Sequence, residues 1–308
     1  MKGHHVLSMD EKGLSIQEED KVRWRVNTLA GGTVDNGLDG YVNTMTRVLE
    51  EIGSVVIAFS GGIDSTLLTV MAHEILGDNS LAITAWSPAL AARDLDDAKW
   101  LAQKFGFQHR VIQTYEMEKE GYLSNSPDRC YFCKTELYDQ LVSLAESEGY
   151  AYVANGANVD DQGDYRPGMK AAKEHFVRSP MVEAGLNKDA VRMIARELNI
   201  PIWDKPAQPC LSSRIPYGVR VTTDTLSKIE QAEEYLRGLG LREVRARHHD
   251  NLCRVEVGES EIDRAFAHRR EIVQHLKKIG YLWVSLDLSG LRSGSLNDGL
   301  NLLSDARN

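Results

Sequence analysis

The sequence predicts an α/β protein in which a parallel sheet flanked by helices is followed by a smaller α+β domain. Short apolar runs at 55–59, 81–85 and 150–154 alternate with segments of helical periodicity, as buried parallel strands and their crossover helices do. The alternation stops at 206–218, which is rich in Pro, Ser and Gly. Two short strands then follow each other directly, which predicts an antiparallel pair in a second sheet.

Each element of the parallel part follows from its own pattern. The strand runs are continuous and apolar, and the helices between them bury one face at a spacing of three and four residues. In chain order we predict a helix near 41–52, a strand at 55–59, a helix that contains Leu67, Leu68, Val70 and Met71, a strand at 81–85, a helix at 91–105, a strand at 109–112, a helix at 134–148, a strand at 150–154 and a helix at 187–198.

The second part has a different order of elements. We predict a helix at 223–238, strands at 243–247 and 253–257, a helix from about 260 to 278 and a strand at 281–286. The chain then divides into a flexible N-terminal arm (1–40), an α/β domain (41–208), a small α+β domain (209–290) and a flexible polar tail (291–308).

Composition bounds the class of function. The 308 residues carry 36 Lys and Arg against 45 Asp and Glu, a net charge of −9, and no basic run. A large non-specific nucleic-acid surface is therefore disfavoured, because such surfaces depend on Lys and Arg; a local basic pocket is compatible with this charge. No stretch approaches the ~18 apolar residues that span a bilayer, and no apolar signal core precedes residue 50. We predict a cytoplasmic protein.

Residues 60–66, Ser-Gly-Gly-Ile-Asp-Ser-Thr, lie between the first strand and its helix. Two glycines let the backbone approach an anion, the helix N-terminus supplies unpaired N–H groups and a positive dipole end, and the hydroxyls add donors. Ligands of open α/β sheets bind at this end of a strand. The pattern is neither a Walker loop nor a dinucleotide fingerprint. The alternative is a glycine-rich turn capped by Asp64 or Ser65; the whole pattern favours phosphate binding.

Three of the four cysteines are candidates for metal binding or catalysis. Cys130 and Cys133 open a helix, where both sulfurs can face one ion or cluster. We expect the helix N-terminus, Arg129 and Lys134 to lower the pKa of both thiols. Cys210 lies far away in sequence, in a loop, which favours a reactive or ligating thiolate over a buried thiol.

Three interpretations of these cysteines compete. A thioredoxin-like dithiol needs only the first pair and leaves Cys210 unexplained. A structural zinc site requires four ligands, normally with a second close pair. A three-cysteine site leaves one position open, as a catalytic centre requires, and is favoured. Cys253 falls on a predicted strand of the small domain and is expected to be a packed residue.

The Ser-Gly-Gly-x-Asp-Ser pattern at 60–65 resembles that of the PP-loop ATP pyrophosphatases, which include GMP synthetase, NAD synthetase and tRNA-thiolating enzymes. The resemblance implies that residues 41–208 form a domain that, with Mg²⁺, cleaves ATP between its α and β phosphates. Adenine contacts are implied at the end of the second strand, and a polar loop after a later strand is expected to line the ATP site. The implied ATP and Mg²⁺ contacts are Ser60, Gly61, Gly62, Asp64, Ser65, Thr66, Trp86, Gly156, Asp160 and Arg166.

Further motifs narrow the resemblance. The chain looks like the LarE family of ATP-dependent sacrificial sulfur transferases in its loop and in five other stretches, which span about residues 50–290. These are Cys-Tyr-Phe-Cys-Lys-Thr-Glu-Leu-Tyr at 130–138, Asn-Gly-Ala-Asn-Val-Asp-Asp at 155–161, Gly-Asp-Tyr-Arg-Pro-Gly at 163–168, Arg-Ser-Pro at 178–180 and Pro-Cys-Leu-Ser-Ser-Arg-Ile-Pro-Tyr-Gly at 209–218. The N-terminal arm and Cys253 have no counterpart in that pattern.

The LarE resemblance implies a substrate and a sulfur carrier. The family adenylates a carboxylate of a pyridinium dicarboxylate mononucleotide and converts it to a thiocarboxylate, in the biosynthesis of a nickel-pincer nucleotide cofactor. Some members give up the sulfur of one cysteine, at the position of Cys210, and others hold a [4Fe–4S] cluster on three. The cluster form is favoured here, with Cys130, Cys133 and Cys210 as ligands and catalytic residues. The small domain is expected to serve substrate binding and self-association, in a homo-oligomer.

A substrate that carries phosphate and carboxylates requires cationic partners. Arg245 and Arg247 project from one face of a predicted strand, and Ser213 and Arg214 follow the third cysteine. These four are the substrate-binding candidates, because Arg can bind phosphate with two hydrogen bonds. The alternative is a solvated edge strand with guarding charges. The resemblance also implies acids near this site, with candidates Glu233, Glu256 and Asp263.

Three rival functions remain at the level of sequence. A tRNA thiolase would share the loop and three cysteines, but should present a basic face. An adenylating ligase or amidotransferase without sulfur chemistry would not need the cysteines. A nucleotide-binding regulator would not turn over ATP at all.

Overall fold

The computed structural model describes residues 38–162, 167–206 and 208–292. In chain order its elements are α1 (Leu38–Ile52), β1 (Val55–Ala58), α2 (Ile63–Leu76), β2 (Ser80–Trp86), α3 (Ala92–Phe105), β3 (His109–Gln113), α4 (Glu120–Leu123), α5 (Arg129–Glu148), β4 (Tyr152–Asn155), α6 (Pro167–Glu174), α7 (Pro180–Glu183), α8 (Lys188–Glu197), α9 (Thr223–Gly238), β5 (Val244–His249), β6 (Leu252–Val257), α10 (Ile262–Ala267), α11 (Arg269–Ile279) and β7 (Trp283–Leu286). None of these described helices combines the length and apolar character that crossing a bilayer requires.

The described residues fall into two compact units that are not contiguous in sequence. Unit 1 lies within Met1–Ala85, Ala92–Gln113 and Leu137–Lys205, and unit 2 within Trp86–Ala91, Thr114–Glu136 and Pro206–Asn308. Two short segments from the first half of the chain therefore belong to unit 2. One of them carries Cys130 and Cys133, so that all three candidate cysteines lie in the same unit.

Unit 1 is built on a four-stranded sheet of order β3-β2-β1-β4, which confirms the predicted parallel sheet. β1 pairs in parallel with β2 and with β4, so that Val55 lies opposite both Ser80 and Tyr152. Val55, Val56 and Ile57 of β1 are fully buried, and α1, α2, α3 and α8 supply most of the surrounding core. Because these strands run in the same direction, the turns that follow β1 and β4 leave from the same edge of the sheet.

Unit 2 contains a three-stranded sheet of order β5-β6-β7. β5 and β6 are antiparallel, as predicted, and β7 runs parallel to β6. The core of this sheet includes Leu236 of α9 and Val255 of β6. A separate apolar cluster joins α4, α9 and the segment after Cys210, and it contains Tyr122, Leu211, Ile215 and Ile229.

The observed bounds differ from the predicted ones where tertiary contacts decide them. The segment at 206–218, where the predicted boundary lies, contains one helical turn at Leu211–Arg214, and its residues Leu211, Ser212, Arg214 and Ile215 are buried in unit 2. The helix predicted at about 260–278 is divided at His268 into α10 and α11.

The predicted arm and tail are each described in part. Residues 1–37 and 293–308 lie outside the described residues, whereas Leu38 opens α1 and is buried. At the other end the backbone of Leu291 still donates to Val257 O (2.7 Å). Packed structure therefore extends three residues into the predicted arm, and backbone pairing extends to the first residue of the predicted tail.

Candidate functional site

The loop at 60–66 folds around its own hydroxyl groups. Gly61 has φ +71°, a conformation that favours glycine. Ser65 Oγ accepts from the backbone of Ser60 (3.2 Å) and donates to Gly62 O (3.1 Å), and Thr66 Oγ1 also donates to Gly62 O (2.8 Å). α2 begins directly after Gly62 and has no side-chain cap. Its first-turn N–H groups therefore face the loop without an internal acceptor from a cap, as an anion site requires.

Two carboxyl groups lie beside this loop. Asp64 Oδ1 accepts from Asn158 Nδ2 (2.9 Å), and Asp161 Oδ2 accepts from the backbone of Asn158 (3.2 Å). Burial, with the neighbouring charge of Asp161, raises the pKa of Asp64 against the lowering effects of Asn158 and Lys188. The negative charges of Asp64 and Asp161 are thus only partly compensated by Asn158 and Lys188. Carboxylate oxygens at a phosphate site suit Mg²⁺, which usually binds one or two carboxylates together with substrate phosphates.

Gly156 and Asp160 position the turn that follows β4, Gly156 against the backbone of α2 and Asp160 against the backbone at the start of α8. A Cβ on Gly156 would lie 2.8 Å from Ser65 N and 2.9 Å from Ser65 Cα, so only glycine permits this approach of the β4 turn to α2. Asp160 Oδ2 accepts from the backbone of Lys188 (2.7 Å), and this bond ties the same turn to the start of α8. Both residues are seen in positioning roles, while their predicted contact with ATP stays a prediction.

Sequence analysis missed a hydrogen-bonded relay behind the loop. Thr84 Oγ1 donates to the carbonyl of Phe59, directly before Ser60 (2.9 Å), and His109 Nε2 lies 2.8 Å from the same hydroxyl. Because the single hydroxyl proton is used on Phe59, His109 must donate from Nε2. Burial, with the charge of Lys99, lowers the pKa of His109 and favours the neutral ring. The carbonyl from which the loop departs is therefore oriented by side chains of β2 and β3.

The three candidate cysteines interact within unit 2. Cys130 and Cys210 are exposed and Cys133 is half-buried; Cys253 is fully buried, as predicted. Burial raises the pKa of Cys133 to about 12, and Glu116, Cys210 and Cys130 add to this effect, while Lys134 opposes it. The expectation that the pKa of Cys133 is lowered is wrong, because burial outweighs the local charge. Cys133 packs against the apolar cluster that contains Leu211, and Arg129 bonds the carbonyl of Ser212, so the two cysteine segments meet.

Arg129 is the cationic group of this cysteine site. Its side chain is 4% exposed. Burial opposes its charge, but the neighbouring Cys210 and Cys130, followed by Tyr122 and Tyr217, raise the pKa of Arg129 overall. Across the residues that the structure describes, no group of three or more His, Cys, Asp or Glu side chains is arranged to hold a single metal ion. Such convergence on one point is what a zinc site needs, whereas the thiolates of an iron–sulfur cluster each bind a different iron.

Two of the candidate arginines of unit 2, Arg214 and Arg247, are buried and paired. Arg214 makes a bidentate ion pair with Glu233 (2.7 and 2.9 Å) and also donates to Ser213 Oγ (2.9 Å). Arg247 pairs with Glu256 (2.8 Å) and donates to the carbonyl of Ser213 (2.8 Å). The alternative of a solvated edge strand is wrong, because β5 is buried along Val244–His248. Of the three acids implied by the resemblance, Glu233 and Glu256 are counterions of these arginines, and Asp263 is exposed on α10.

Positive charge exceeds negative charge around Arg245. Burial lowers the pKa of Arg245 to about 10, and the neighbouring arginines, of which Arg214 has the largest effect, add to the lowering against the charge of Glu233. Substrate contact by Ser213, Arg214, Arg245 and Arg247 stays a prediction. The predicted ATP contact of Trp86, which is 41% exposed at the end of β2, also stays a prediction. Arg166 lies outside the described residues.

Comparisons with known proteins identify relatives that cover most of this chain. The NAD synthase family model matches residues 36–125. A pyridinium-3,5-bisthiocarboxylic acid mononucleotide synthase of Lactiplantibacillus plantarum is 38% identical over 258 residues, 83% of this chain and 94% of that protein. An uncharacterised protein of Synechocystis sp. is 46% identical over 84% of this chain and 98% of its own length. A tRNA-specific 2-thiouridylase of Rickettsia felis is 27% identical over 53% of this chain and 54% of its own length.

Proposed function

Because the chain belongs to the family of pyridinium-3,5-bisthiocarboxylic acid mononucleotide synthases, which are ATP-dependent sulfur transferases, we propose that its substrate is a pyridinium dicarboxylate mononucleotide. A carboxylate oxygen of the substrate attacks the α-phosphorus of ATP and pyrophosphate leaves. A sulfur nucleophile then attacks the acyl carbon, and AMP leaves with the oxygen. The product is a thiocarboxylate for nickel-pincer nucleotide biosynthesis. The observation that carries this proposal is the contact, within one unit, between the segment of Cys130 and Cys133 and the segment of Cys210.

The residues of unit 1 support the first step. The loop offers the backbone N–H groups of an uncapped helix to the pyrophosphate, and Ser60, Ser65 and Thr66 stand in the same loop. Asp64 and Asp161 fit a Mg²⁺ ion, since each supplies a hard oxygen ligand, and Lys188, which pairs with Asp161 (3.8 Å), also acts on Asp64. When bound, Mg²⁺ neutralises charge that develops on the leaving pyrophosphate.

The cysteines of unit 2 support the sulfur step. Three thiols with one buried arginine beside them fit a [4Fe–4S] cluster, because three cysteines leave one iron without a protein ligand. The ligands would be Cys130, Cys133 and Cys210. When bound, such a cluster supplies an iron that can carry an additional sulfide. The buried guanidinium of Arg129 places a positive charge beside the segments that carry Cys130 and Cys210.

The substrate phosphate is assigned to the arginine-rich face of unit 2. Five arginines there, Arg214, Arg237, Arg245, Arg247 and Arg254, share the carboxylates of Glu233, Glu256 and Asp287. This excess of positive charge is costly without an anion and is relieved by one. We therefore propose that Arg245 and Arg247, with Ser213 and Arg214, recognise the phosphate or the second carboxylate of the substrate.

Anaerobic turnover tests the proposal. Protein purified without oxygen is incubated with ATP, Mg²⁺ and the dicarboxylate mononucleotide, and AMP, thiocarboxylate product and intact protein mass are measured with iron and acid-labile sulfide. We expect iron and sulfide in the protein, product formation and an unchanged protein mass. A mass decrease equal to one hydrogen sulfide, located at Cys210 and with no iron bound, would instead show the sacrificial form.

Cysteine variants separate sulfur transfer from adenylation. Cys210→Ala should abolish the thiocarboxylate but retain AMP formation, whereas Cys253→Ala, at a packed residue outside the site, should retain both. If a variant that lacks Cys130, Cys133 and Cys210 still made the thiocarboxylate, the sulfur would not pass through these cysteines and the proposed cysteine site would be wrong.

A tRNA thiolase is the second candidate, because of the match to the tRNA-specific 2-thiouridylase over 198 residues. The net charge of −9 opposes it. Thiolated tRNA in the same assay, with bulk tRNA in place of the mononucleotide, would reverse the assignment.

A further inference from the structure

We propose that Arg129 is a positioning residue that fastens the segment of Cys130 and Cys133 to the segment of Cys210 before metal or sulfur binds. Arg129 directly precedes Cys130 at the start of α5 and is buried. Its Nη1 donates to the carbonyl of Ser212 (2.8 Å), two residues after Cys210. The side chain of Arg129 thus bonds the Cys210 segment, while the backbone of Arg129 begins the segment of Cys130 and Cys133.

Asn125 completes this connection from the other side. The same Nη1 of Arg129 donates to Asn125 Oδ1 (2.6 Å). Asn125 Nδ2 in turn donates to the carbonyls of Ile215 (3.3 Å), Pro216 (2.8 Å) and Val219 (3.0 Å). Asn125 is fully buried and has φ +52°, a conformation that non-glycine residues keep only where their surroundings impose it. The amide therefore fixes the chain after Cys210 at several residues.

A third contact is independent of the guanidinium. Tyr122 OH and Ser212 Oγ are 2.5 Å apart, and both side chains are buried. Ser212 is therefore held by its carbonyl through Arg129 and by its hydroxyl through Tyr122. We refer to Tyr122, Asn125, Arg129 and Ser212 as the cysteine clamp.

The charge of Arg129 has no carboxylate to neutralise it within the described chain. Its hydrogen-bond acceptors are a carbonyl and an amide, both of them neutral. A buried guanidinium without a carboxylate is expensive. Its retention at this position is explained if it serves to connect the two cysteine segments.

The consequence is that protein contacts, and not the metal, bring the three cysteines together. In many small metal sites the ligands converge only when the ion binds. Here we expect the thiols to be close in metal-free, reduced protein. This inference rests on the proposed function for the role of the three cysteines. Its test needs neither ATP nor sulfur transfer, so that the inference and the proposed function can fail independently.

Crosslinking with dibromobimane tests the clamp, since the reagent fluoresces when both of its arms have reacted with thiols. Metal-free full-length protein is treated briefly and digested, and the linked peptides are quantified by mass spectrometry. Cys130–Cys133 links, within one helix, serve as the internal standard. In the wild type we expect links from Cys210 to one of these cysteines. In Arg129→Met their yield relative to the standard should fall by roughly tenfold, because the effective concentration of the thiols drops.

Arg220→Met is the matched control, since it removes a guanidinium from the same unit at an exposed pair with Glu120. It should leave the ratio unchanged. A folded Arg129→Met protein with the wild-type ratio would overturn the proposal, as would the absence of Cys210 links in the wild type. If Arg129→Met does not fold, Asn125→Asp decides. Asp tolerates positive φ and keeps the acceptor for Arg129, but loses the three donations; an unchanged ratio in that variant also overturns the clamp.

Discussion

The phosphate loop of unit 1 is formed by seven consecutive residues, whereas the cysteine site of unit 2 joins segments that are far apart in the chain. In the loop, Ser60, Gly62, Ser65 and Thr66 hydrogen-bond to one another. In the cysteine site, α4, the start of α5 and the 210–219 segment are connected by buried side chains such as Arg129 and Asn125. A local motif can specify the first geometry, but only the folded unit can specify the second.

The two regions also differ in how they hold charge. Asp64, beside the loop, lies near a second acid and has a raised pKa. Glu233, in unit 2, is buried between arginines, and its pKa is lowered. In the first arrangement two acids lie close together and a cation can relieve their repulsion, whereas in the second the carboxylate of Glu233 is neutralised by arginines of the same unit. An acid pair of the first kind is suited to a cation, while a buried carboxylate of the second kind makes the fold depend on particular ion pairs.

The largest expected effect is on stability, at the Arg214–Glu233 pair. Arg214→Met leaves Glu233, 1% exposed, without its bidentate partner. Breaking a buried pair in this way costs about 3–5 kcal/mol of the free energy of unfolding. Urea titration followed by circular dichroism measures it. The double variant Arg214→Met/Glu233→Gln should recover part of the loss, because no uncompensated charge remains.

Acid titration provides the control for this pair. Burial alone would raise the pKa of Glu233, but its hydrogen bonds to Arg214 and the charges of Arg214, Arg237 and Arg245 lower it overall. The stability that the pair supplies is therefore present above the unfolded pKa of about 4.3 and is lost as pH falls through the lower folded pKa. Glu233→Gln should lack this component of acid destabilisation. Identical acid sensitivity in the variant and the wild type would contradict the pairing.

The next effect is on ATP binding, at Gly156. An alanine Cβ would meet the backbone of Ser65 at 2.8–2.9 Å, so the first turn of α2 has to shift. Displacements near 1 Å can cost about 100-fold in function, and we expect a comparable loss of ATP affinity by calorimetry. Gly40→Ala is the control, because nothing lies within 4 Å of its Cβ. Wild-type ATP affinity in folded Gly156→Ala would show that the loop does not depend on this close approach.

The sequence predicts elements well where local periodicity decides them. α9 spans Thr223–Gly238, as predicted, and α3 begins within one residue of its predicted start, because in each an apolar stripe and end signals agree. The loop is likewise readable, since a strand, two glycines and hydroxyls adjoin in sequence. The helix start predicted at Cys130 and the amphipathic stretch predicted at 134–148 form one helix, α5; periodicity identifies only the second part, because the first turn is packed by unit 2 contacts.

The cysteine site shows what sequence cannot supply. The three cysteines could be named, but the pKa of Cys133 was expected to be lowered by Lys134, whereas burial raises it. Burial depends on the side chains that pack from other segments. Arg247 and Glu256 were named separately, although their pairing requires the register of β5 with β6. Asn125 gave no pattern beyond an ordinary loop asparagine; a positive φ is visible only in the structure.

A smaller effect is expected at the relay behind the loop. Thr84→Val removes the hydroxyl that donates to Phe59 O and accepts from His109, at nearly constant volume. Each such hydrogen bond contributes about 1 kcal/mol, so ATP affinity should fall about fivefold to tenfold while kcat changes less. Thr84→Ser keeps the hydroxyl and should restore binding. Equal affinities of the Val and Ser variants would show that the relay only stabilises the sheet.

The smallest expected effect on stability is at Asp64, where a substitution should change stability and activity in opposite directions. Its raised pKa means that ionisation opposes folding, so Asp64→Asn, which keeps an acceptor for Asn158, should stabilise the protein at neutral pH by up to about 1 kcal/mol. The gain should appear as pH rises above the unfolded pKa of about 3.9 and be complete above the folded value. Mg²⁺-dependent AMP formation should be lost in the same variant. A variant less stable than the wild type at neutral pH would show that Asp64 is a structural anion like Glu233. The two regions would then not differ in how they hold charge, and only the difference in chain connectivity would remain.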